Sequence, residues 1–334
     1  MDLLSILTLI GGLALFLYGM HVLGEGLSKL SGGRMESILS KMTDNHFKAV
    51  LLGAGITAVI QSSSATTVMV VGLVNSGIMQ LRQTVGIIMG ANIGTTITSW
   101  IVSLSGIQGD NLFITLLKPK AFSPILAMVG IIFLMFCKSD KKKDMGNILL
   151  GFAVLMFGMD TMSSAVEPLK DVPEFTRLFL TFSNPILGML AGTLLTAALQ
   201  SSSASVGILQ ALCASGSIPY AAVFPLILGQ NIGTCITALL SSIGANVNAR
   251  RAAFIHLYFN LIGTIVFMSG FYLINYFSPF SFLAQTVTPA GIALIHSCFN
   301  LFATILLLPF SGKLVALACF SVPEKDTSDL QRLP

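Results

Sequence analysis

The segment Thr57-Ala-Val-Ile-Gln-Ser-Ser-Ser-Ala65 occurs a second time as Thr196-Ala-Ala-Leu-Gln-Ser-Ser-Ser-Ala204. The two copies are 139 residues apart, and the same offset maps Gly90-Ala-Asn-Ile-Gly-Thr-Thr-Ile-Thr98 onto Gly229-Gln-Asn-Ile-Gly-Thr-Cys-Ile-Thr237. No gap is needed between residues 11 and 104, so a chance likeness between apolar segments does not explain the match. The sequence therefore predicts two copies of one structural unit.

The composition indicates that both copies lie in a membrane. Of the 334 residues, 54% are hydrophobic and only 10% are charged, and the mean hydropathy is +0.86. Soluble domains carry about 25% charged residues, which excludes an ordinary soluble enzyme. The net charge of +4 comes from basic residues in short loops, so we expect no nucleic-acid partner. The five cysteines form no CxxC pair, and we expect no disulfide and no transition-metal site.

Seven apolar stretches are about long enough to cross the hydrocarbon core of a bilayer, near residues 3–23, 83–104, 120–137, 146–166, 219–243, 252–276 and 289–311. Two further stretches, 47–77 and 184–216, are apolar but are interrupted at their middle by Gln-Ser-Ser-Ser. Polar backbone at membrane depth is tolerated only where it is buried in protein or lines a cavity. We therefore expect each of these two stretches to form a re-entrant helical hairpin, because two full crossings would leave each arm short.

The basic residues give this topology an orientation. Of the 18 Lys and Arg residues, only four fall on one side, namely Lys118, Lys120, Lys170 and Arg177. The positive-inside rule then places the N-terminus outside and the C-terminus in the cytoplasm. Three crossings separate the starts of the two units, so the units have opposite orientations, as in many secondary transporters.

The expected fold is thus an all-α polytopic membrane protein made of two inverted-topology repeats. Each repeat has a re-entrant hairpin and a partly unwound transmembrane helix. We expect repeat 1 over residues 1–144, repeat 2 with a C-terminal helix over 145–320, and a short cytoplasmic tail over 321–334.

The Gln-Ser-Ser-Ser segments at 61–64 and 200–203 are the tips of the two expected hairpins, and they have the chemistry of an anion site. A serine at a helix N-cap accepts a backbone N–H bond, and we expect Ser64 and Ser203 in that role. The free N–H groups of a first helical turn carry the positive end of the helix dipole, so they bind oxyanions without any Lys or Arg. Two such tips facing each other would suit a compact tetrahedral oxyanion better than a sugar or an aromatic ligand.

The Gly-x-Asn-Ile-Gly-Thr segments have the chemistry of a sodium site. Glycines that flank an asparagine in mid-span predict local unwinding, and freed carbonyls, amide oxygens and hydroxyls are hard ligands that suit Na⁺. The alternative is helix packing, because Gly86, Gly90 and Gly94 form a small-xxx-small stripe. Cotransported cations would lower the cost of carrying an anion through spans that contain no obvious Lys or Arg. Na⁺ is favoured over H⁺ because the sequence shows no buried carboxylate relay, and Asp160 is the one acid near a span.

A second, shorter internal repeat predicts His256 and Asn260 in one helix and His296 and Asn300 in another, each pair at i and i+4. A metal pair or a proton relay would use this spacing. The interpretation that we favour is hydrogen bonding between helices.

The paired Gln-Ser-Ser-Ser motifs, each followed by Gly-x-Asn-Ile-Gly-Thr, resemble the type II sodium/phosphate cotransporter family over residues 11–312. The resemblance implies phosphate-binding roles for Gln61, Ser62, Ser63, Ser64, Gln200, Ser201, Ser202 and Ser203. It implies sodium-binding roles for Asn92, Thr95, Thr98, Asn231, Thr234 and Thr237. Cys235 replaces the second threonine of the first repeat, so we expect the two cation sites to differ. Many bacterial members add a PhoU-like domain, and we expect the membrane part without one.

The function that we expect is a sodium-coupled symporter in the cell membrane that imports inorganic phosphate by alternating access, and not an enzyme. The expected partners are phosphate, Na⁺ and the lipid bilayer, and a homodimer stays open. The alternatives are a transporter of another oxyanion, a transporter with H⁺ coupling, or an anion channel. A membrane hydrolase is disfavoured because the chain has no Gly-x-Ser-x-Gly nucleophile elbow.

Overall fold

The computed structural model describes residues 3–30, 45–106, 119–168, 172–213, 216 and 218–324, and these residues are nearly all helical. The α-helices are α1 (Leu3–Leu30), α2 (His46–Ile60), α3 (Ser63–Asn75), α4 (Leu81–Ser103), α5 (Pro119–Phe136), α6 (Asp140–Val166), α7 (Pro173–Phe182), α8 (Pro185–Leu199), α9 (Ser202–Leu212), α10 (Tyr220–Ser241), α11 (Val247–Phe277), α12 (Pro289–Leu307) and α13 (Ser311–Ser321). Short 3-10 turns extend α4 and connect α12 to α13.

Six helical segments in this part of the chain are long and apolar enough to cross a membrane. They are α1, α4 with its 3-10 extension, α6, α10, α11, and α12 continued into α13. The seventh expected crossing, near 120–137, corresponds to α5, whose apolar part is a shorter helix. The prediction of an all-α polytopic membrane protein is therefore confirmed. Most of the expected tail, from residue 325 onward, lies outside the described residues.

The helix boundaries repeat with the same period as the sequence. Helix α8 begins and ends 139 residues after α2, and the pairs α3 and α9, and α4 and α10, begin the same distance apart. The helical stretches around both Gln-Ser-Ser-Ser motifs are broken at the motif, as expected. The two segments thus share one local structure.

The expected unwinding of the glycine-containing helices is wrong, because α4 and α10 run as continuous α-helices through Asn92 and Asn231. Their glycines allow close helix contacts instead. A Cβ atom at Gly90 would lie 2.0 Å from the backbone oxygen of Val50 in α2. The equivalent atom at Gly229 would lie 1.9 Å from the backbone oxygen of Met189 in α8. The alternative of small-residue packing is thereby confirmed for both helices.

Helices of the two halves also pack against each other across the middle of the molecule. Helix α1 packs along α6, and α3 contacts α10 and α11. Helix α9 contacts both α4 and α12, so polar groups of the two halves can meet at buried positions.

We expect Gly229→Ala to destabilise the protein by about 1–3 kcal/mol, because the added methyl overpacks a backbone contact that has no room for it. The measurement is thermal unfolding of the purified protein in detergent.

Gly72→Ala is the matched control. Gly72 is an exposed position inside α3, with nothing within 4 Å of an added Cβ, and alanine favours a helix by about 1 kcal/mol over glycine. Unchanged unfolding of Gly229→Ala would contradict the packing role of this glycine.

Candidate functional site

Each helix break is made by a glutamine in the left-handed backbone region. Gln61 has φ 60° and ψ 21°, and Gln200 has φ 53° and ψ 24°. Their N–H groups donate to the carbonyls of Thr57 and Thr196, both at 2.7 Å. Glycine or asparagine is the usual residue in this conformation, which costs other residues free energy. A glutamine at both breaks therefore indicates that its side chain has a use.

The serine that follows each glutamine caps the next helix. The Ser62 hydroxyl accepts from the Ala65 N–H at 3.1 Å, and the Ser201 hydroxyl accepts from the Ala204 N–H at 3.2 Å. The expectation that Ser64 and Ser203 are the caps is wrong. The left-handed turn takes only one residue, so α3 and α9 begin two residues earlier than we expected.

The two tips lie side by side, although 136 residues separate the atoms in contact. The Ser64 hydroxyl donates to the Gln200 carbonyl at 3.4 Å. Beside this contact, Ser63, Ser202 and Ser203 are buried, with 3–6% of their surface exposed. Their hydroxyls make no hydrogen bond with the described part of the chain, so they remain available as donors.

A cavity of about 560 Å³ reaches the first tip, where Gln61 and Ser62 line it. Its opposite wall is a polar face of α1 with His21, Glu25 and Lys29. Lys29 Nζ lies 2.6 Å from a Glu25 carboxylate oxygen, so its charge is offset by a neighbour. We did not predict this wall from the sequence, although the i and i+4 spacing of Glu25 and Lys29 is the signal for the pair.

The asparagine of each Gly-x-Asn motif is held by a histidine and an asparagine from another helix. Asn92 Nδ2 donates to Asn260 Oδ1 at 3.0 Å, and His256 Nε2 lies 3.3 Å from Asn92 Oδ1. Because an amide oxygen only accepts, the His256 Nε2–H is the donor. All three side chains are at least 96% buried.

The second cluster joins the equivalent residues, but its asparagine bond runs the other way, from Asn300 to Asn231. Asn231 Oδ1 lies 3.3 Å from both His296 Nε2 and Asn300 Nδ2. The other ring nitrogen of His296 lies 2.9 Å from the Ser99 hydroxyl. The interpretation of the paired His and Asn residues as interhelical hydrogen bonds is confirmed. The amide oxygens of Asn92 and Asn231 are therefore already occupied by protein donors.

In the first repeat, a threonine hydroxyl connects the Gly-x-Asn-Ile-Gly-Thr helix to the Gln-Ser-Ser-Ser tip. Thr98 donates to Gln61 Oε1 at 3.0 Å, and Thr57 donates to the Thr66 hydroxyl at 2.9 Å. Close packing brings these groups together, since a Cβ atom at Gly94 would lie 2.7 Å from Thr57 Cβ. Two of the other three threonines expected to bind sodium, Thr95 and Thr234, donate instead to carbonyls of their own helices.

The equivalent hydroxyls of the second repeat are buried without a hydrogen-bond partner in the described residues. They belong to Thr196, Ser205 and Thr237, the counterparts of Thr57, Thr66 and Thr98. Buried polar groups normally have a partner, so these three hydroxyls lack the hydrogen bonds that their first-repeat counterparts make. Thr196 and Ser205 were absent from the expected site. The repeat offset was the signal that could have identified them.

Six membrane-capable helices in the described residues, together with two polar tips in contact, define a multi-pass membrane protein. The chain belongs to the Na⁺/Pi-cotransporter family, which it matches over residues 15–164 and 173–292. The family consists of transporters and not of enzymes.

Individual relatives agree with this assignment. The chain is 28% identical to the "Putative inorganic phosphate export protein YjbB" of Salmonella typhimurium over 97% of its own length. It spans 58% of that relative. It is 27% identical to the "Uncharacterized protein YqeW" of Bacillus subtilis, with 93% of this chain and 96% of the relative covered. It is 35% identical to the Homo sapiens "Sodium-dependent phosphate transport protein 2B" over 36% of this chain and 19% of the relative. No solved structure matches the chain.

We expect a double-mutant cycle of Asn92→Ala and Asn260→Ala to give a coupling energy of about 0.6–1.7 kcal/mol, the range measured for hydrogen bonds between membrane helices. The measurement is the unfolding free energy of the two single variants and the double variant.

The control cycle pairs Asn92→Ala with Thr8→Ala. Thr8 donates only to the Leu4 carbonyl of its own helix, so this cycle should be additive within about 0.5 kcal/mol. Strict additivity in the Asn92 and Asn260 cycle would show that the bond contributes nothing.

Proposed function

We propose that this protein moves inorganic phosphate across the cell membrane together with Na⁺, by alternating access between two inverted repeats. The observation that carries the proposal is the contact between Ser64 and Gln200, which joins two equivalent polar tips of an otherwise apolar protein. The family and the phosphate-related names of the relatives support phosphate as the substrate.

The phosphate site that we propose lies between the two tips. It consists of Gln61, Ser62, Ser63, Ser64, Gln200, Ser201, Ser202 and Ser203. The free hydroxyls of the buried serines and the first-turn N–H groups of α3 and α9 would donate to the phosphate oxygens. Two helix N-termini directed at one group favour a compact anion, because both dipoles present positive ends to it.

The sodium sites that we propose lie beside these tips, in the buried hydroxyl groups. Thr237, together with Thr196 and Ser205, offers unpaired oxygens in the second repeat, while Thr98 and Gln61 offer oxygens in the first. Sodium would supply the positive charge that the buried serine tips lack. Asn92, Thr95, Asn231 and Thr234 are weaker candidates, because the structure already engages their polar atoms.

Helix length supports the re-entrant hairpins in this proposal. With 15 residues each, α2 and α8 are about 22 Å long at 1.5 Å per residue, while the hydrocarbon core is about 30 Å thick. We propose that the first hairpin enters from the cytoplasm and the second from outside. The N-terminus would then lie outside and the C-terminus inside, with repeat 1 over residues 1–144 and repeat 2 over 145–320.

Export of phosphate is the second candidate function. The relatives that match nearly the whole chain include proteins named as phosphate exporters, whereas the sodium-dependent relatives match about a third of it. A symporter coupled to an inward Na⁺ gradient imports phosphate. A protein without Na⁺ coupling lets phosphate flow down its own gradient, which leads out of a phosphate-loaded cell.

Labelled phosphate uptake into proteoliposomes separates these two functions. With an inward Na⁺ gradient we expect uptake that choline cannot support. Equal phosphate flux in Na⁺ and in choline, in both directions, would reject sodium coupling and favour the export function.

We expect Ser64→Ala and Ser203→Ala each to lower phosphate affinity by roughly 10- to 100-fold. Each variant loses a charge-assisted hydrogen bond of about 1.5–3 kcal/mol to the anion. For Ser64 this bond would replace the one that its hydroxyl donates to the Gln200 carbonyl. Since neither residue caps a helix, the melting temperature should change little. The measurements are phosphate binding and thermal unfolding on the same purified protein.

Ser242→Ala is the matched control, because its hydroxyl donates to the Leu239 carbonyl at the far end of α10. Parental phosphate affinity in both tip variants would place the anion site elsewhere.

A further inference from the structure

A second polar cavity, of about 230 Å³, lies where α2, α4 and α13 begin. Its lining residues are His46, Arg82, Val85, Ser311, Gly312 and Val315. His46 is the first residue of α2, so the cavity is about 22 Å along this helix from the Gln61 tip. It is therefore separate from the proposed transport site.

The described residues that line this cavity include basic side chains but no acidic ones. Arg82 is exposed and forms no ion pair with the described residues. His46 adds a half-buried imidazole beside it. An unpaired guanidinium that faces a confined space attracts an anion, and its planar fork fits phosphate oxygens.

One residue that lines the cavity, Ser311, has a hydroxyl group without a partner in the described chain. Ser311 is only 7% exposed, yet its hydroxyl makes no hydrogen bond within the described chain. Because Ser311 lines the cavity, a bound acceptor group would give this hydroxyl a partner. The adjoining first turn of α2 also presents free N–H groups, and these favour negative charge.

We propose that this cavity binds a phosphate-type oxyanion, held by Arg82, His46 and Ser311. Its volume is the share of about eight water molecules in liquid water, at roughly 30 Å³ each, which is room for a phosphate group. The group comes either from the headgroup of an anionic membrane lipid or from free inorganic phosphate. Basic pockets between membrane helices on the cytoplasmic side are typical sites for lipid headgroups.

The bound group would hold the first arm of the first hairpin in place. Helices α2 and α4 are already in close contact here, since a Cβ atom at Gly86 would lie 2.7 Å from the His46 carbonyl. An anion bound by both helices and by Ser311 ties this pair to α13.

The equivalent positions of the second repeat lack these side chains. The 139-residue offset maps His46 and Arg82 onto Pro185 and Ala221, which carry neither charge nor donor. The anion would therefore brace one hairpin and not the other.

The test uses Arg82→Gln and, as a matched control, Arg250→Gln. Arg250 is an exposed arginine near the start of α11, on the same predicted side, and does not line the cavity. Thermal unfolding is measured in phosphatidylcholine nanodiscs with and without phosphatidylglycerol, and separately in detergent with inorganic phosphate in a sodium-free buffer. The readout involves neither transport nor Na⁺, so its outcome is independent of the proposed function.

If a lipid headgroup is the ligand, phosphatidylglycerol stabilises the parent and Arg250→Gln, while Arg82→Gln needs roughly 10-fold more of it for the same shift. If free phosphate is the ligand, the same difference appears in the phosphate titration instead. Ser311→Ala should weaken the same response without removing the charge. Equal responses of Arg82→Gln and Arg250→Gln in both titrations would overturn the proposal.

Discussion

A helix that ends inside an apolar medium leaves backbone N–H and C=O groups without water, and each such group needs a partner in the protein. This protein meets that constraint in the same way at Gln61 and at Gln200. A left-handed residue returns its N–H to the preceding turn, and the next serine caps the following helix. The N–H groups and serine hydroxyls that stay unpaired at the two tips are the groups that we assign to the anion.

Close helix packing turns two separate motifs into one site. Gly90 and Gly94 let α4 lie directly on the backbone of α2, and Gly229 and Gly233 do the same for α10 on α8. Thr98 thereby reaches the side chain of Gln61. The polar groups proposed for sodium thus lie next to those proposed for phosphate. Charge compensation between the two ions is effective at this short range, because little water separates them.

The two repeats match in backbone and differ in hydrogen bonding. In the first repeat the Thr57 hydroxyl donates a hydrogen bond to the Thr66 hydroxyl. The hydroxyls of their counterparts, Thr196 and Ser205, are buried and have no partner in the described residues. Equivalent sequences in unequal states are what alternating access requires, because the two halves exchange conformations. The difference supports the proposed mechanism, since the second repeat contains the unpaired hydroxyls.

The sequence by itself determined the duplication, the apolar helices, the helix breaks at both Gln-Ser-Ser-Ser motifs and the resemblance to a phosphate transporter family. These features are local, since a fixed offset, a run of apolar residues or a polar interruption needs no knowledge of what lies opposite. Hydrogen bonding of His256 and His296 between helices was also predicted, although the asparagines that they contact were not.

Only the tertiary structure decided the role of the glycines, the identity of the caps and the cavity at Arg82. A glycine in mid-helix is compatible with unwinding or with close packing, and the neighbouring backbone at Val50 selects between the two. His46, Arg82 and Ser311 lie far apart along the chain and share no motif. They line one cavity because three helices begin at one place, and that arrangement depends on packing contacts which the order of residues does not display.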